Sequence, residues 1–239
     1  MSGLGLPWVH HREVNSTNER AKALANSGAP HGTLVTADEQ TAGHGRQGRA
    51  WVGVPGTAVL MSVVVRDLGE RHALLPLTAA VAVCEAAEAC SGARCAIKWP
   101  NDVWIGGSKL AGILVEARPQ AGWAVVGVGI NVTTTIDDFP KGLHEIATSL
   151  AIEGSSIGQG SRDAVLSAFL EAFAALLRRD RDGILDEWRR RDALRGRQIA
   201  WDGGEGIAGG IDHSGALLVE TGRGKVALEA GEVHLRVDV

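Results

Sequence analysis

Between Cys95 and Val132 the chain passes through four β-prone segments with no helical stretch between them. These segments are Cys95–Lys98, Asp102–Ile105, Lys109–Arg118 and Gly122–Val132, joined by short turns. A parallel crossover needs about a dozen connecting residues, so connections this short predict neighbouring strands in an antiparallel or mixed sheet. Thr57–Val65 is a long apolar run rich in β-branched residues and reads as a buried strand. Thr33–Ala37 reads as another.

Helices are expected around this sheet. Ser16-Thr17-Asn18-Glu19 has the form of a capping box, followed by an apolar face at Ala21, Leu24 and Ala25 and a stop at Gly28. Pro76 opens a helix that runs to about Cys90, and two more are expected over roughly 161–179 and 183–193. From Gly196 the character changes. RQIAWD, EGIAGGID, GALLVET, KVALEA and EVHLRV alternate with Gly/Asp turns, the pattern of a small all-β barrel or sandwich. The expected division is an α+β unit over residues 1–194 and a small β unit over 195–239.

Composition narrows the function classes. With 45% hydrophobic residues the chain is globular, and its net charge of -4 gives no bulk attraction to nucleic acid or an acidic membrane. No apolar run is read as a membrane span, and the start, MSGLGLPWVHH, lacks the basic-then-apolar form of a secretion signal. His10-His11 is read as a solvated pair near the terminus. Cys84, Cys90 and Cys95 lack CxxC spacing and read as reduced thiols in a cytoplasmic protein. The eight arginines between Arg178 and Arg197 are interleaved with acids, which reads as a solvated mixed-charge surface rather than a nucleic-acid face.

Three motifs carry chemistry. Lys98 and Lys109 are two of only five lysines in a chain whose other 19 basic residues are arginine. A compact ammonium is therefore expected to matter there. Asn101, Asp102 and a Gly106-Gly107 turn lie between them, and the small pair Ala111-Gly112 after Lys109 leaves space for a ligand beside the strand. The loop Gly43-His44-Gly45-Arg46-Gln47-Gly48-Arg49 interleaves glycines with basic groups, so backbone amides and guanidinium forks can converge on oxyanions. It falls short of a P-loop, because Arg49-Ala50 stand where lysine and a hydroxyl would hold phosphates and magnesium. Ser16, Thr17 and Asn18 serve either as a helix cap alone or also as contacts to a polar head group.

In order and spacing these motifs resemble the biotin protein ligase family. GHGRQGR is similar to its GRGRxGR loop; KWPND and KLAGIL match at Lys98–Asp102 and Lys109–Leu114; Ser16-Thr17-Asn18, Gln40 and Gly127-Val128-Gly129-Ile130-Asn131 match its remaining signatures. The resemblance implies a class II aminoacyl-tRNA synthetase-like catalytic fold with a mixed sheet packed against helices, plus a C-terminal SH3-like barrel. It implies that biotin and Mg-ATP form biotinyl-5′-AMP, from which a lysine on a biotin carboxyl carrier domain takes the biotin. It also implies biotin-binding residues Ser16, Thr17, Asn18, Gln40, Gly43, His44, Gly45, Arg46, Lys109 and Gly112. ATP-binding residues are Arg46, Arg49, Trp51, Lys98, Asn101, Asp102, Lys109 and Asn131, with Asp102 in an indirect role toward magnesium. The resemblance further implies Lys109 as the main electrostatic catalyst, assisted by Arg46. The alternatives are a lipoate or octanoate transferase of the same superfamily and a nonenzymatic biotin- or nucleotide-binding regulator. With the STN box beginning at Ser16, no helix-turn-helix domain and no DNA partner are expected; the protein is expected to be a monomer or homodimer.

One departure stands out. His44 occupies the position of the family's first loop arginine, and an imidazole is mostly neutral at pH 7 where a guanidinium is charged. His44→Arg is therefore expected to slow release of biotinyl-AMP from the protein. Unchanged or faster release in a trapping assay would count against it.

Overall fold

The structure, a computed structural model, describes residues 3–67, 69–154, 161–229 and 231–236. Seven strands form the main sheet, in the order β1-β2-β3-β7-β6-β5-β4. They are β1 (Trp8–Val14), β2 (Leu34–Gln40), β3 (Ala58–Arg66), β4 (Ala96–Lys98), β5 (Asp102–Ile105), β6 (Ser108–Arg118) and β7 (Trp123–Asn131). The run from β4 to β7 is antiparallel throughout, as its short turns demand. The sheet is mixed because β1 pairs parallel with β2, with α1 (Thr17–Asn26) as the crossover.

The β1 strand is absent from the sequence reading. His10-His11 is part of this edge strand, where His10 is exposed as expected and His11 is half-buried. His10 Nδ1 lies 2.9 Å from Thr36 Oγ1, and His11 Nε2 is buried without a partner among the described residues. The segment WVHHREV lacks clean apolar alternation, since an edge strand covered on only part of one face needs little of it.

α2 (Leu75–Ser91) is the central helix. It is apolar nearly all round because the sheet, α3 (Ser161–Leu176) and α4 (Arg181–Arg189) surround it. It ends at Gly92, whose φ of 71° is the left-handed cap that glycine adopts without a steric penalty. The stretch His72–Ser91 is long and apolar enough to cross a membrane, contrary to the sequence reading, but 67% of its most apolar window is buried inside the fold. Phe169 and Phe173 on α3 stack with ring centroids 5.4 Å apart and are fully buried. On the opposite face of the sheet, Ala21 and Ala25 of α1 pack on Val35, Val64, Trp123 and Val125.

The arginine-rich segment is only partly a solvated surface. Arg191 turns inward, donating from Nη2 to Glu88 on α2 at 2.9 Å and from Nη1 to Glu187 on α4 at 3.1 Å. Arg189 and Arg190 do pair with acids on their own helix. Cys84 and Cys95 are buried free thiols and Cys90 is exposed. Burial pushes the Cys84 thiol well above its ordinary pKa, which keeps it protonated and inert.

The C-terminal strands are β8 (Gln198–Trp201), β9 (Gly204–Ile211), β10 (Leu217–Thr221), β11 (Gly224–Leu228) and β12 (Val233–Leu235). They form one antiparallel sheet in the order β11-β10-β9-β8-β12, consistent with a small SH3-like domain. The two sheets share a core: Leu194, Ile199, Leu217 and Val219 belong to the same buried cluster as α2. Two hydrogen bonds join the segment between α4 and β8 to β4, Ile97 N to Arg191 O at 2.6 Å and Ala193 N to Ile97 O at 2.9 Å. Trp99, in the turn between β4 and β5, donates from Nε1 to Gly215 O at 3.0 Å.

Gly215 has φ of 91°, and a Cβ there would lie 2.8 Å from Leu77 Cδ1 on α2. Gly215→Ala is expected to destabilise the protein by about 1–3 kcal/mol, through left-handed strain and crowding at this junction. A denaturant midpoint equal to the wild type's would refute that.

Candidate active site

Strand periodicity makes the site. Along β7, Val126, Val128 and Ile130 face the main core, while Gly127, Gly129 and Asn131 face the other way. On β3, Val63 faces the core and Ser62 the opposite side. On β6, Ala111 and Ile113 face the core, and Gly112, Leu114 and Glu116 do not. Register pairs Gly112 with Gly129 and Leu114 with Gly127. Three glycines thus lie together on one sheet face, and the missing side chains leave a cavity of about 540 Å³. With the exception of Gly43, every site residue named from the sequence lines that cavity.

One end of the cavity is uncharged and polar. Ser16, Thr17 and Asn18 are buried at the start of α1. The expected capping box does not form: Ser16 makes no side-chain cap bond, and Glu19 turns outward to Lys22, 2.6 Å away. Gln40 takes over part of the capping, its Oε1 accepting from Thr17 N at 2.7 Å and Thr17 Oγ1 at 3.1 Å. This arrangement leaves the Ser16 hydroxyl free of the helix end. Ser62, fully buried on β3, lies 2.8 Å from Thr17 Oγ1 and 2.6 Å from Asn18 Oδ1. Gly127 is obligatory here, because a Cβ would overlap Asn18 Oδ1.

The other end is cationic. Lys109 Nζ sits 2.7 Å from Asp102 Oδ1, in an ion contact whose direction is not that of a hydrogen bond, and 6.0 Å from the centroid of the Trp51 ring. Its backbone is fixed by bonds to Ile146 O at 2.7 Å and from Thr148 N at 2.9 Å. Lys98 lies over Trp104 at 5.3 Å, and burial lowers its pKa despite the pull of Asp102 and Glu232. Asn101 is tied to the sheet, donating from Nδ2 to Ile113 O at 2.8 Å. Asn131 likewise donates to Thr148 O at 2.9 Å. The Trp51 ring lies against the glycine floor: a Cβ on Gly129 would lie 2.6 Å from it and one on Gly112 would lie 3.1 Å away. Trp51 Nε1 is buried with no partner among the described residues.

The glycine-rich loop covers the space between the two ends. Gly43 is buried, and a Cβ would lie 2.8 Å from Gln40 Nε2. The loop closes on itself through Trp51 N to Gly43 O at 2.8 Å and Gly45 N to Arg49 O at 2.7 Å. Its outer side reaches the C-terminal sheet. Arg46 Nη2 donates to Gly231 O at 3.2 Å, and Arg49 forms an ion pair with Glu232. Burial lowers the Arg46 pKa while leaving it a guanidinium cation. Burial raises the Glu232 carboxyl, but the Arg49 hydrogen bond and charge more than offset that.

Sequence reasoning missed Ser62, Glu116 and Lys22, which buttress the polar end, and Glu232, which reaches the loop from a different sheet. Gly127 and Gly129 were visible as part of a motif, but their role in the floor was not. Glu19, His44 and Glu116 bring three potential metal donors within 4.8 Å of one another. The Lys22 ammonium already bridges the two carboxylates, at 2.6 and 2.8 Å, and supplies the positive charge a cation would bring.

Residues 11–132 match the biotin/lipoate A/B protein ligase family, and residues 195–236 match the biotin protein ligase C terminal domain. The bifunctional ligase/repressor BirA of Bacillus subtilis is 35% identical over 249 residues, covering 97% of this chain and 75% of that protein. The biotin–[acetyl-CoA-carboxylase] ligase of Mycobacterium tuberculosis is 35% identical over 241 residues, covering 94% and 87%. Among solved structures, the Aquifex aeolicus biotin protein ligase in complex with biotin and ATP superposes with a TM-score of 0.81 at 27% identity, covering 97% of this chain and 99% of that one.

Glu232→Ala should loosen the loop. An exposed ion pair is worth up to about 1 kcal/mol, so trypsin cleavage after Arg46 or Arg49 is expected to quicken by about two- to fivefold. An unchanged cleavage rate would mean the pair does not hold the loop.

Proposed function

The chain belongs to the biotin/lipoate A/B protein ligase family and within it to the biotin protein ligases; from that premise we propose that it activates biotin with Mg-ATP and biotinylates a carboxylase carrier domain. The first product is biotinyl-5′-AMP. The acceptor is a lysine on a biotin carboxyl carrier domain, of an acetyl-CoA, acyl-CoA or pyruvate carboxylase. The observation that carries this reading is the single cavity with an uncharged polar end, a glycine floor and a cationic end. Biotin has the matching form: a cyclic urea, an apolar body and a terminal carboxylate.

In the first step a biotin carboxylate oxygen attacks the α-phosphorus of ATP. The bond from that phosphorus to the bridging oxygen breaks, and pyrophosphate leaves. Two anions must approach one another, and charge grows on the non-bridging oxygens of the α-phosphate. Lys109 answers both demands as a compact ammonium already held beside Asp102 and Trp51. Arg46 and Lys98 add positive potential from the loop and from β4. Magnesium arrives with ATP as part of that substrate. Asp102 would hold it only indirectly, because its Oδ1 is already engaged by Lys109. Trp51 Nε1 is an unspent donor in the cavity wall. In the second step the carrier lysine's neutral amine attacks the acyl carbon. A C–N bond forms, the C–O bond to AMP breaks, and the amine proton passes to water. The loop over the cavity keeps bulk water from the anhydride in the interval.

The catalytic unit in this reading is residues 1–194, closed on one side by the C-terminal unit of residues 195–239, and the enzyme works in the cytoplasm.

Transfer of labelled biotin to a carboxyl carrier domain in the presence of Mg-ATP tests the reading. Binding of biotin without transfer would refute it. Lys109→Ala is expected to slow biotinyl-AMP formation by about 10²- to 10³-fold, the scale of losing one preorganised charge partner. A near-wild-type rate would remove Lys109 from its role.

A further inference from the structure

We propose that Glu116, held by Lys22, is a positioning residue for biotin recognition because it sets the orientation of the Asn18 side-chain amide. The inference rests on the reading of this cavity as the biotin site and goes one layer behind it.

The argument is one of donors and acceptors. Asn18 Oδ1 lies 2.6 Å from Ser62 Oγ, so the serine hydroxyl donates to it. Asn18 Nδ2 lies 2.8 Å from Glu116 Oε2 and 3.4 Å from Leu114 O, both acceptors. Flipping the amide would set its oxygen against a carboxylate and a carbonyl at once. The Asn18 carbonyl is thereby held over Gly127, where the floor has no side chain. It presents an acceptor, which suits an N–H donor of a cyclic urea.

Glu116 can do this only as a carboxylate. Its other oxygen, Oε1, accepts from Lys22 Nζ at 2.8 Å, and Lys22 also reaches Glu19 at 2.6 Å. Glu116 therefore has a donor on each side and needs two acceptor atoms. Glutamine, in either orientation, would turn its NH₂ toward Asn18 or toward Lys22. Burial raises the Glu116 pKa, but the hydrogen bonds from Lys22 and Asn18 more than offset this, and the group stays ionised. Neither Lys22 nor Glu116 belongs to the motifs read from the sequence. Lys22 and Glu116 lie 94 positions apart and meet only because α1 packs on β2, β3 and β7 of the same sheet to which β6 belongs.

The test is a mutant cycle read by the KM for biotin in biotinyl-AMP formation. Glu116→Gln is expected to raise that KM by about tenfold, with kcat and the KM for ATP within about twofold. In an Asn18→Ala background, adding Glu116→Gln should change the biotin KM by less than about twofold. Lys22→Met should reproduce part of the Glu116→Gln effect, and Lys22→Arg should restore it. An unchanged biotin KM in Glu116→Gln, a full additional loss in the Asn18→Ala background, or an equal loss in the KM for ATP would overturn the proposal. A readout independent of the reaction is exchange of the Asn18 side-chain amide protons, followed by NMR of the unliganded protein. Protection in the wild type that is lost in both Glu116→Gln and Lys22→Met supports the proposal, and equal exchange in all three overturns it. Should the wild type make no biotinyl-AMP, the proposed function fails, and the exchange measurement still decides the part played by Glu116.

Discussion

The pairing of β6 with β7 is the constraint on which the rest of the site depends. Gly112 opposite Gly129 and Leu114 opposite Gly127 bring three glycines onto one face and leave the apolar residues between them on the other. A one-residue slip would exchange these faces, placing glycines in the core and valines in the cavity. Packing of Val126, Val128 and Ile130 against the core, at roughly 1.5–3 kcal/mol for each fully buried side chain, sets this register firmly. The cavity is thus a by-product of core packing: the interactions that hold the sheet together also fix where side chains are missing.

Onto that floor, different elements set the two polar ends. The uncharged end is built by the start of α1, whose helix-capping duty passes to Gln40, and by Ser62 below it. The cationic end is built by β4, β5 and β6, with Lys109 kept near Asp102 and its backbone clamped to residues 146 and 148. This division matters physically. Hydrogen-bonding groups confer selectivity where a neutral ring must be recognised, and point charges act where two anions must be joined.

The C-terminal sheet is not an appendage to this arrangement. It shares the core around α2, accepts a bond from Trp99 in the turn that carries Asn101 and Asp102, and meets the covering loop through Gly231 and Glu232. Both contacts fall on segments that bear site residues. The two sheets therefore influence the same cavity, one by supporting its cationic end and the other by forming its floor.

The sequence by itself determined the antiparallel run from β4 to β7, the helical positions around it, the separate β-rich C-terminal segment and many of the polar and charged residues that line the cavity. The first three rest on local information, short turns and apolar periodicity, while the site residues rest on motifs whose order and spacing resemble a known family. Tertiary structure alone decided the rest. The β1 strand depends on a neighbour, β2, for its definition. The Ser16 cap was undone by Gln40, 24 positions away. Arg191 left the surface because Glu88 on another helix was there to meet it. Glu232 and Glu116 acquired their places from partners 183 and 98 residues distant. Distances of a few ångströms between such residues are set by the packing of whole elements against one another, and no local pattern along the chain encodes them.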